Sequence, residues 1–100
     1  MILVTKDNFE AEVVRSERPV LLEFKAPWCG VCKMMTPVIE GIAEESDEIQ
    51  VAIVDVDEEP ELTKIFQVSK VPVTMAVKNG QVKQTLSGLQ TKESLLNMFD

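Results

Sequence analysis

Histidine and tyrosine are absent from this chain of 100 residues, and tryptophan occurs once. Cysteine is nearly as scarce, with two residues. Two thiols are too few for a disulfide scaffold, and without histidine they cannot complete a four-ligand zinc site within one chain. Positive charge is also short: 10 Lys and Arg stand against 17 Asp and Glu, a formal net charge of −7. A phosphate backbone repels such a chain, which argues against a nucleic-acid partner. No apolar run approaches the ~20 residues of a membrane span, so no membrane partner is expected. The stretch Met1-Ile2-Leu3-Val4-Thr5-Lys6-Asp7 has neither a basic n-region nor a long apolar h-region. The expectation is a cytoplasmic protein whose thiols are kept reduced.

What is present fits a small folded unit. The length suits one domain over residues 1–100, and 45% hydrophobic with 27% charged residues is an ordinary globular balance. There are no internal repeats, low-complexity tracts or linker-like segments.

Strand and helix signals alternate along the chain. Ile2 to Val4 is a short apolar start. Thr5 is a candidate N-cap, and Phe9 and Val13 recur at helical spacing, which predicts a first helix. Pro19 opens Val20-Leu21-Leu22-Glu23-Phe24, a buried-strand pattern interrupted by one carboxylate. Ala26 to Gly30 reads as a loop. A helix follows with Met35, Val38, Ile39 and Ile42 on its apolar face and Pro37 inside it. Met34 and Met35 both read as core filling. Ile49 to Val56 is a second buried strand, and Pro60 is a good first residue for a helix to Phe66. A third main strand opens at Val71-Pro72-Val73 and runs to Lys78. Asn79-Gly80 predicts a two-residue hairpin turn. Gln81 to Ser87 returns as the partner strand, alternating Val82 and Leu86-type positions with polar ones. Gly88 breaks it, and Thr91 caps a last helix with Leu95, Leu96 and Phe99. The order βαβαβαββα predicts an α/β fold with a mixed sheet and helices on both faces.

The two cysteines sit as Trp28-Cys29-Gly30-Val31-Cys32-Lys33, between a strand and a helix. Thiols at this spacing can close and reopen a disulfide without moving the fold. Only a thiolate attacks a disulfide, and a helix start favours an anion through its unpaired N–H groups and dipole. Cys29 at that start is the better nucleophile and Cys32 the resolving thiol. Two inert core cysteines, or half of a metal site shared between two chains, are the alternatives that spacing alone leaves open.

The segment Phe24-Lys25-Ala26-Pro27-Trp28-Cys29-Gly30-Val31-Cys32-Lys33 resembles the active-site stretch of the thioredoxin family. Pro37, Asp57, Val71-Pro72, Lys78-Asn79-Gly80 and Gly88 extend the resemblance in order over nearly the whole chain. It implies a thioredoxin fold, with a central mixed five-stranded sheet flanked by four α-helices. It also implies a thiol–disulfide oxidoreductase that reduces protein disulfides through Cys29 and Cys32. Such a protein needs no cofactor beyond the redox-active Cys29–Cys32 disulfide and no metal. It acts as a monomer and is re-reduced by a thioredoxin reductase. A more oxidising oxidase or isomerase-like domain, and a redox-silent binding module, are the competing readings.

Further site residues follow from the same resemblance. Pro72 would follow a cis bond and face the cysteines, with Val71 offering its backbone to an extended substrate. Glu23 would be a buried acid that relays a proton to Cys32, its pKa raised by desolvation. Trp28 would help form a flat docking surface, Gly30 would serve a tight turn, and Gly88 would let substrate backbone approach. The chain departs from the family pattern in three informative places. The acid is Glu rather than Asp, Ile53 stands where relatives often carry a lysine near it, and Val31 replaces a proline between the cysteines. Lys25, Lys70 and Ser87 also differ around the docking surface.

Overall fold

Three apolar stretches, Val20 to Phe24, Val51 to Val54 and Val73 to Val77, must each be buried on both sides, and the chain solves this with one sheet covered on two faces. The computed structural model describes residues Met1 to Asp100. Its strands are β1 (Ile2–Leu3), β2 (Val20–Lys25), β3 (Gln50–Asp55), β4 (Val73–Lys78) and β5 (Gln81–Ser87). They pair in the order β1-β3-β2-β4-β5. The β1–β3 and β2–β3 pairs are parallel, and the β2–β4 and β4–β5 pairs are antiparallel. The helices are α1 (Gly30–Glu45), α2 (Pro60–Ile65) and α3 (Lys92–Asn97).

Alternation along β2 divides the core. Val20, Leu22 and Phe24 join Val13, Leu62, Val73 and Met75 on the face covered by α2. Leu21 joins Met35, Ile39 and Ile42 of α1 and Leu95 of α3 on the other. Glu23 shares the Leu21 face by the two-residue repeat of a strand. In the sheet register it lies between Ile53 of β3 and Thr74 of β4.

The predicted first helix is the main difference. Thr5 caps as expected: its Oγ1 accepts the Asn8 N–H, and Asn8 Oδ1 accepts the Thr5 N–H at 2.7 Å. The regular element that follows is only one wide π-type turn, Glu10–Val14, closed by the Arg15 N–H donating to the Glu10 carbonyl five residues back. Three α-helices and this turn therefore stand where four α-helices were expected. The wide turn still buries Val13 and sets Phe9 against Phe66, with ring centroids 5.6 Å apart.

A second difference lies in β5. Strict alternation would place Val82 and Leu86 on one face. The β4–β5 register slips between Ala76 and Val77, where Ala76 opposes Gln84 and Val77 opposes Val82. The extra residue, Lys83, flips everything beyond it. Leu86 therefore packs on the α1 side, while Val82 is 43% exposed. The hairpin turn is as predicted, with Asn79 and Gly80 both at positive φ. A Cβ on Gly80 would lie 3.2 Å from the Val14 carbonyl, so the turn also fits closely against the first helical turn.

The α1 contact layer holds the sheet to the helix that carries the thiols. Ile39 is 1% exposed within it. Ile39→Ala is expected to lower unfolding free energy by about 2–5 kcal/mol in urea titrations. Glu40→Ala, on the exposed side of the same helix, is expected to change it by less than about 0.5 kcal/mol.

Candidate active site

The site is built where β2 ends and α1 begins. Cys29 is the N-cap of α1, with extended backbone (φ −88°, ψ 110°), and its Sγ accepts the Cys32 N–H at 3.2 Å. An unpaired helix donor is thus spent on sulfur. The N–H and the helix start both stabilise negative charge on Cys29 Sγ. Helical geometry then brings Cys32, three residues on, back over the same spot. Both cysteines are free thiols and both are buried, Cys29 at 7% and Cys32 at 2% exposure. With Ala26 they form a small cluster against Val56 and Val71.

The environment treats the two thiols unequally. Burial pushes the Cys32 pKa up to about 11, and a hydrogen bond with the Cys29 sulfur and the nearby Glu23 charge push the same way. The Ala26 backbone opposes this. Cys32 therefore keeps its proton until that proton has somewhere to go.

Glu23 lies beneath, at 1% exposure, and its pKa is raised to about 7. Desolvation is the main cause, partly offset by the positive charge of Lys25. Its Oε2 has no hydrogen-bond partner. The residue opposite on β3 is the uncharged Ile53, so β3 supplies no ion pair at that position.

The other wall is the turn into β4. The Val71–Pro72 bond is cis, as the resemblance implies, and Pro72 is buried. The Cys29 thiol donates to the Val71 carbonyl at 3.7 Å, which sets this turn directly against Cys29. The Val71 N–H has no backbone partner and is free to bond a bound chain. Gly88 adjoins from β5: its N–H donates to the Pro72 carbonyl at 2.9 Å, and its φ is +79°. A Cβ there would meet nothing within 4 Å, so the glycine answers to its backbone angle and leaves an open surface.

Several expectations shift in detail. Gly30 is the first residue of α1 rather than part of a tight turn; it has no positive φ and open space at its Cβ. Trp28 is 69% exposed, so it is not core packing. Its Nε1 donates to Asp57 Oδ2 at 3.0 Å, a tether that holds the ring over the site. Met35 is fully buried as expected, whereas Met34 is 60% exposed on the same helix as the thiols. Val31, at 41% exposure, continues that apolar rim. A mostly apolar depression of about 80 Å³ lies against Trp28 and Val71, lined also by Val56 and Val68 among others.

Two residues were missed by sequence reasoning as parts of the site. Asp57 stood out only within the resemblance, with no sign that it would anchor Trp28. Thr74 sits opposite Glu23, and the one available signal was a hydroxyl within the apolar run Val73 to Val77. No cluster of three or more His, Cys, Asp or Glu side chains converges in the structure, and no helix is long and apolar enough to cross a membrane.

Comparison with known proteins agrees with this architecture. The thioredoxin family model matches residues 1–100. A thioredoxin of Rickettsia felis is 42% identical over 98 residues, covering 97% of this chain and 93% of that protein. Thioredoxin 1 of Synechococcus elongatus is 40% identical, covering 97% of this chain and 92% of its own length. A bifunctional thioredoxin reductase/thioredoxin of Mycobacterium leprae is 43% identical over 96 residues, which are 95% of this chain and 21% of that protein. With paired thiols at the head of α1, a cis-proline turn facing them and whole-length similarity, the chain belongs to the thioredoxin family of protein-disulfide oxidoreductases.

Proposed function

We propose that residues 1–100 act as one monomeric domain that reduces disulfides in protein substrates, with Cys29 as attacking thiol, Cys32 as resolving thiol and Glu23 as the proton acceptor for Cys32. The observation that carries this reading is the geometry at the head of α1, where Cys29 Sγ takes the Cys32 N–H and meets the Val71 carbonyl while Cys32 and Glu23 are buried. The Cys29 thiolate attacks one sulfur of the substrate disulfide. The other substrate sulfur leaves as a thiolate and takes up a proton. Cys32 then loses its proton toward Glu23 and attacks Cys29 Sγ. The Cys29–Cys32 disulfide forms, the second substrate thiol is released, and two electrons have passed to the substrate.

The surface suits a large substrate. The thiols open beside a shallow apolar rim of Trp28, Val31 and Met34 rather than into a deep pocket. An extended chain laid along Val71 would gain backbone hydrogen bonds there, with Pro72 and Gly88 leaving room for it. Gly30 keeps the other side of the thiols unobstructed. Electrons return from a thioredoxin reductase. The name of the Mycobacterium leprae relative, which joins a reductase to a thioredoxin, supports that pairing. A cytoplasmic setting, where thiols are kept reduced, is the compartment that suits this direction of electron flow.

Reduction of a model protein disulfide coupled to a thioredoxin reductase tests the proposal. Cys29→Ser is expected to abolish turnover. Cys32→Ser is expected to accumulate a mixed disulfide held through Cys29, detected by intact mass and peptide mapping. Substrate trapped on Cys32 in the Cys29→Ser protein, with none on Cys29 in the Cys32→Ser protein, would reverse the assignment.

Glu23 gives a separate prediction in stability. It ionises at the ordinary 4.5 when unfolded and near 7 when folded. Between those values only the unfolded state releases the proton, so stability falls as pH rises through the window and levels off above it. The gap corresponds to about 3 kcal/mol. Glu23→Gln removes this dependence. In urea unfolding of the reduced protein, its stability relative to the parent is expected to rise by about that amount between about pH 4 and pH 8. Parallel pH curves for the two proteins would contradict the buried-acid assignment.

A further inference from the structure

Two side-chain polar atoms are buried without any hydrogen-bond partner, Glu23 Oε2 and Thr74 Oγ1. They are not scattered. Glu23 on β2 and Thr74 on β4 are directly opposed in the antiparallel register. Glu23 is 1% and Thr74 0% exposed. Both point to the face under α1, because their strand neighbours Leu21 and Ala76 pack there with Met35 and Ile39.

Native interiors seldom leave such groups unpaired, since a buried orphan has lost its hydration with no bond to replace it. A valine at position 74 would have the same shape with no polar atom to satisfy. The flanking residues Val73, Met75, Ala76 and Val77 are all apolar, so the hydroxyl is the exception that calls for a partner. Directly opposed side chains in an antiparallel pair have Cβ atoms ~4.5–5.5 Å apart. Two polar atoms that share this layer without bonding each other are the kind of pair that one buried water satisfies. A threonine hydroxyl accepts as well as donates, so it can hold a shared water with a hydrogen directed at the carboxylate.

We propose that Thr74 is a positioning residue for Glu23: its hydroxyl, through one shared buried water, fixes the Glu23 carboxyl beneath the thiols and stabilises its ionised form. The groups facing Glu23 leave this role open to Thr74. β3 presents the apolar Ile53, and β2 contributes the charge of Lys25. α1 contributes the Cys32 thiol, which interacts with Glu23 as a titrating neighbour rather than as a fixed donor. Thr74 is the uncharged polar group on β4 opposite the carboxyl. The kinetic consequence rests on Glu23 accepting the Cys32 proton; the structural claim does not.

Titration of the Glu23 side-chain carboxyl by NMR in the reduced protein separates the two. A donor to a carboxylate favours the charged form, so its loss must raise the midpoint. Thr74→Val is expected to raise the Glu23 midpoint by about one pH unit. Thr74→Ser, which keeps the hydroxyl, is expected to titrate like the parent. A Thr74→Val midpoint that stays in place or falls, or a Thr74→Ser midpoint that follows the valine variant, overturns the proposal. The acid limb of the pH–rate profile for protein-disulfide reduction is the second readout. A moved titration with an unmoved rate profile would uphold the Thr74–Glu23 link and count against Glu23 as the proton acceptor.

Discussion

Desolvation on one side of the sheet is the constraint from which the chemistry follows. The layer between the sheet and α1 is closed by Leu21, Met35, Ile39 and Ile42, all essentially inaccessible. Packing of that kind holds α1 in register and shields the row that contains Glu23 from bulk solvent. A carboxyl in such a medium resists ionisation, and a thiol does too. The same burial that stabilises the fold therefore raises Glu23 toward neutrality and Cys32 well above it. One group becomes able to exchange a proton near neutral pH, and the other needs an acceptor before it can react. Ile53 sharpens this arrangement because a cation at that register position would pull the carboxyl back toward ionisation.

Cys29 differs from Cys32 through its place three residues earlier, at the N-cap of α1. As N-cap it meets the free donors of α1, and the Cys32 N–H is directed at its sulfur. The turn at Val71–Pro72 faces it from the opposite wall, and Gly88 is tied to that turn through the Pro72 carbonyl. Two segments far apart in sequence thus meet at the Cys29 sulfur, with open space at the Gly88 Cβ position. Trp28, tethered to Asp57, borders this opening with Val31 and Met34. Precision sits in the buried part and tolerance in the exposed part, an arrangement suited to one reaction on many protein surfaces.

Much of this was legible in the chain. The β2 pattern, the apolar face of α1, the Asn79-Gly80 turn and the Thr91 cap all translate directly into structure, because each rests on a local rule. The cysteine spacing alone permitted three readings. It was the ordered resemblance across the chain that set Pro72 opposite Cys29. What escaped the sequence depends on contacts at a distance. The wide turn at Glu10–Val14 is shaped by packing Phe9 on Phe66. The Lys83 slip that separates Val82 from Leu86 is a property of two strands together. Met34 and Met35 are adjacent and chemically identical, and only the helix phase decides that one is core and the other rim. Thr74 carried no visible meaning until the register placed it against Glu23.

The fold makes two chemically identical side chains unequal. Competitive alkylation of the fully reduced protein with iodoacetamide, followed by peptide mapping across pH, measures that inequality directly. Cys29 is predicted to take nearly all of the label at neutral pH, with Cys32 modified appreciably only as pH approaches the elevated value that burial gives it. Equal labelling of the two thiols at neutral pH, or faster labelling of Cys32, would contradict the account.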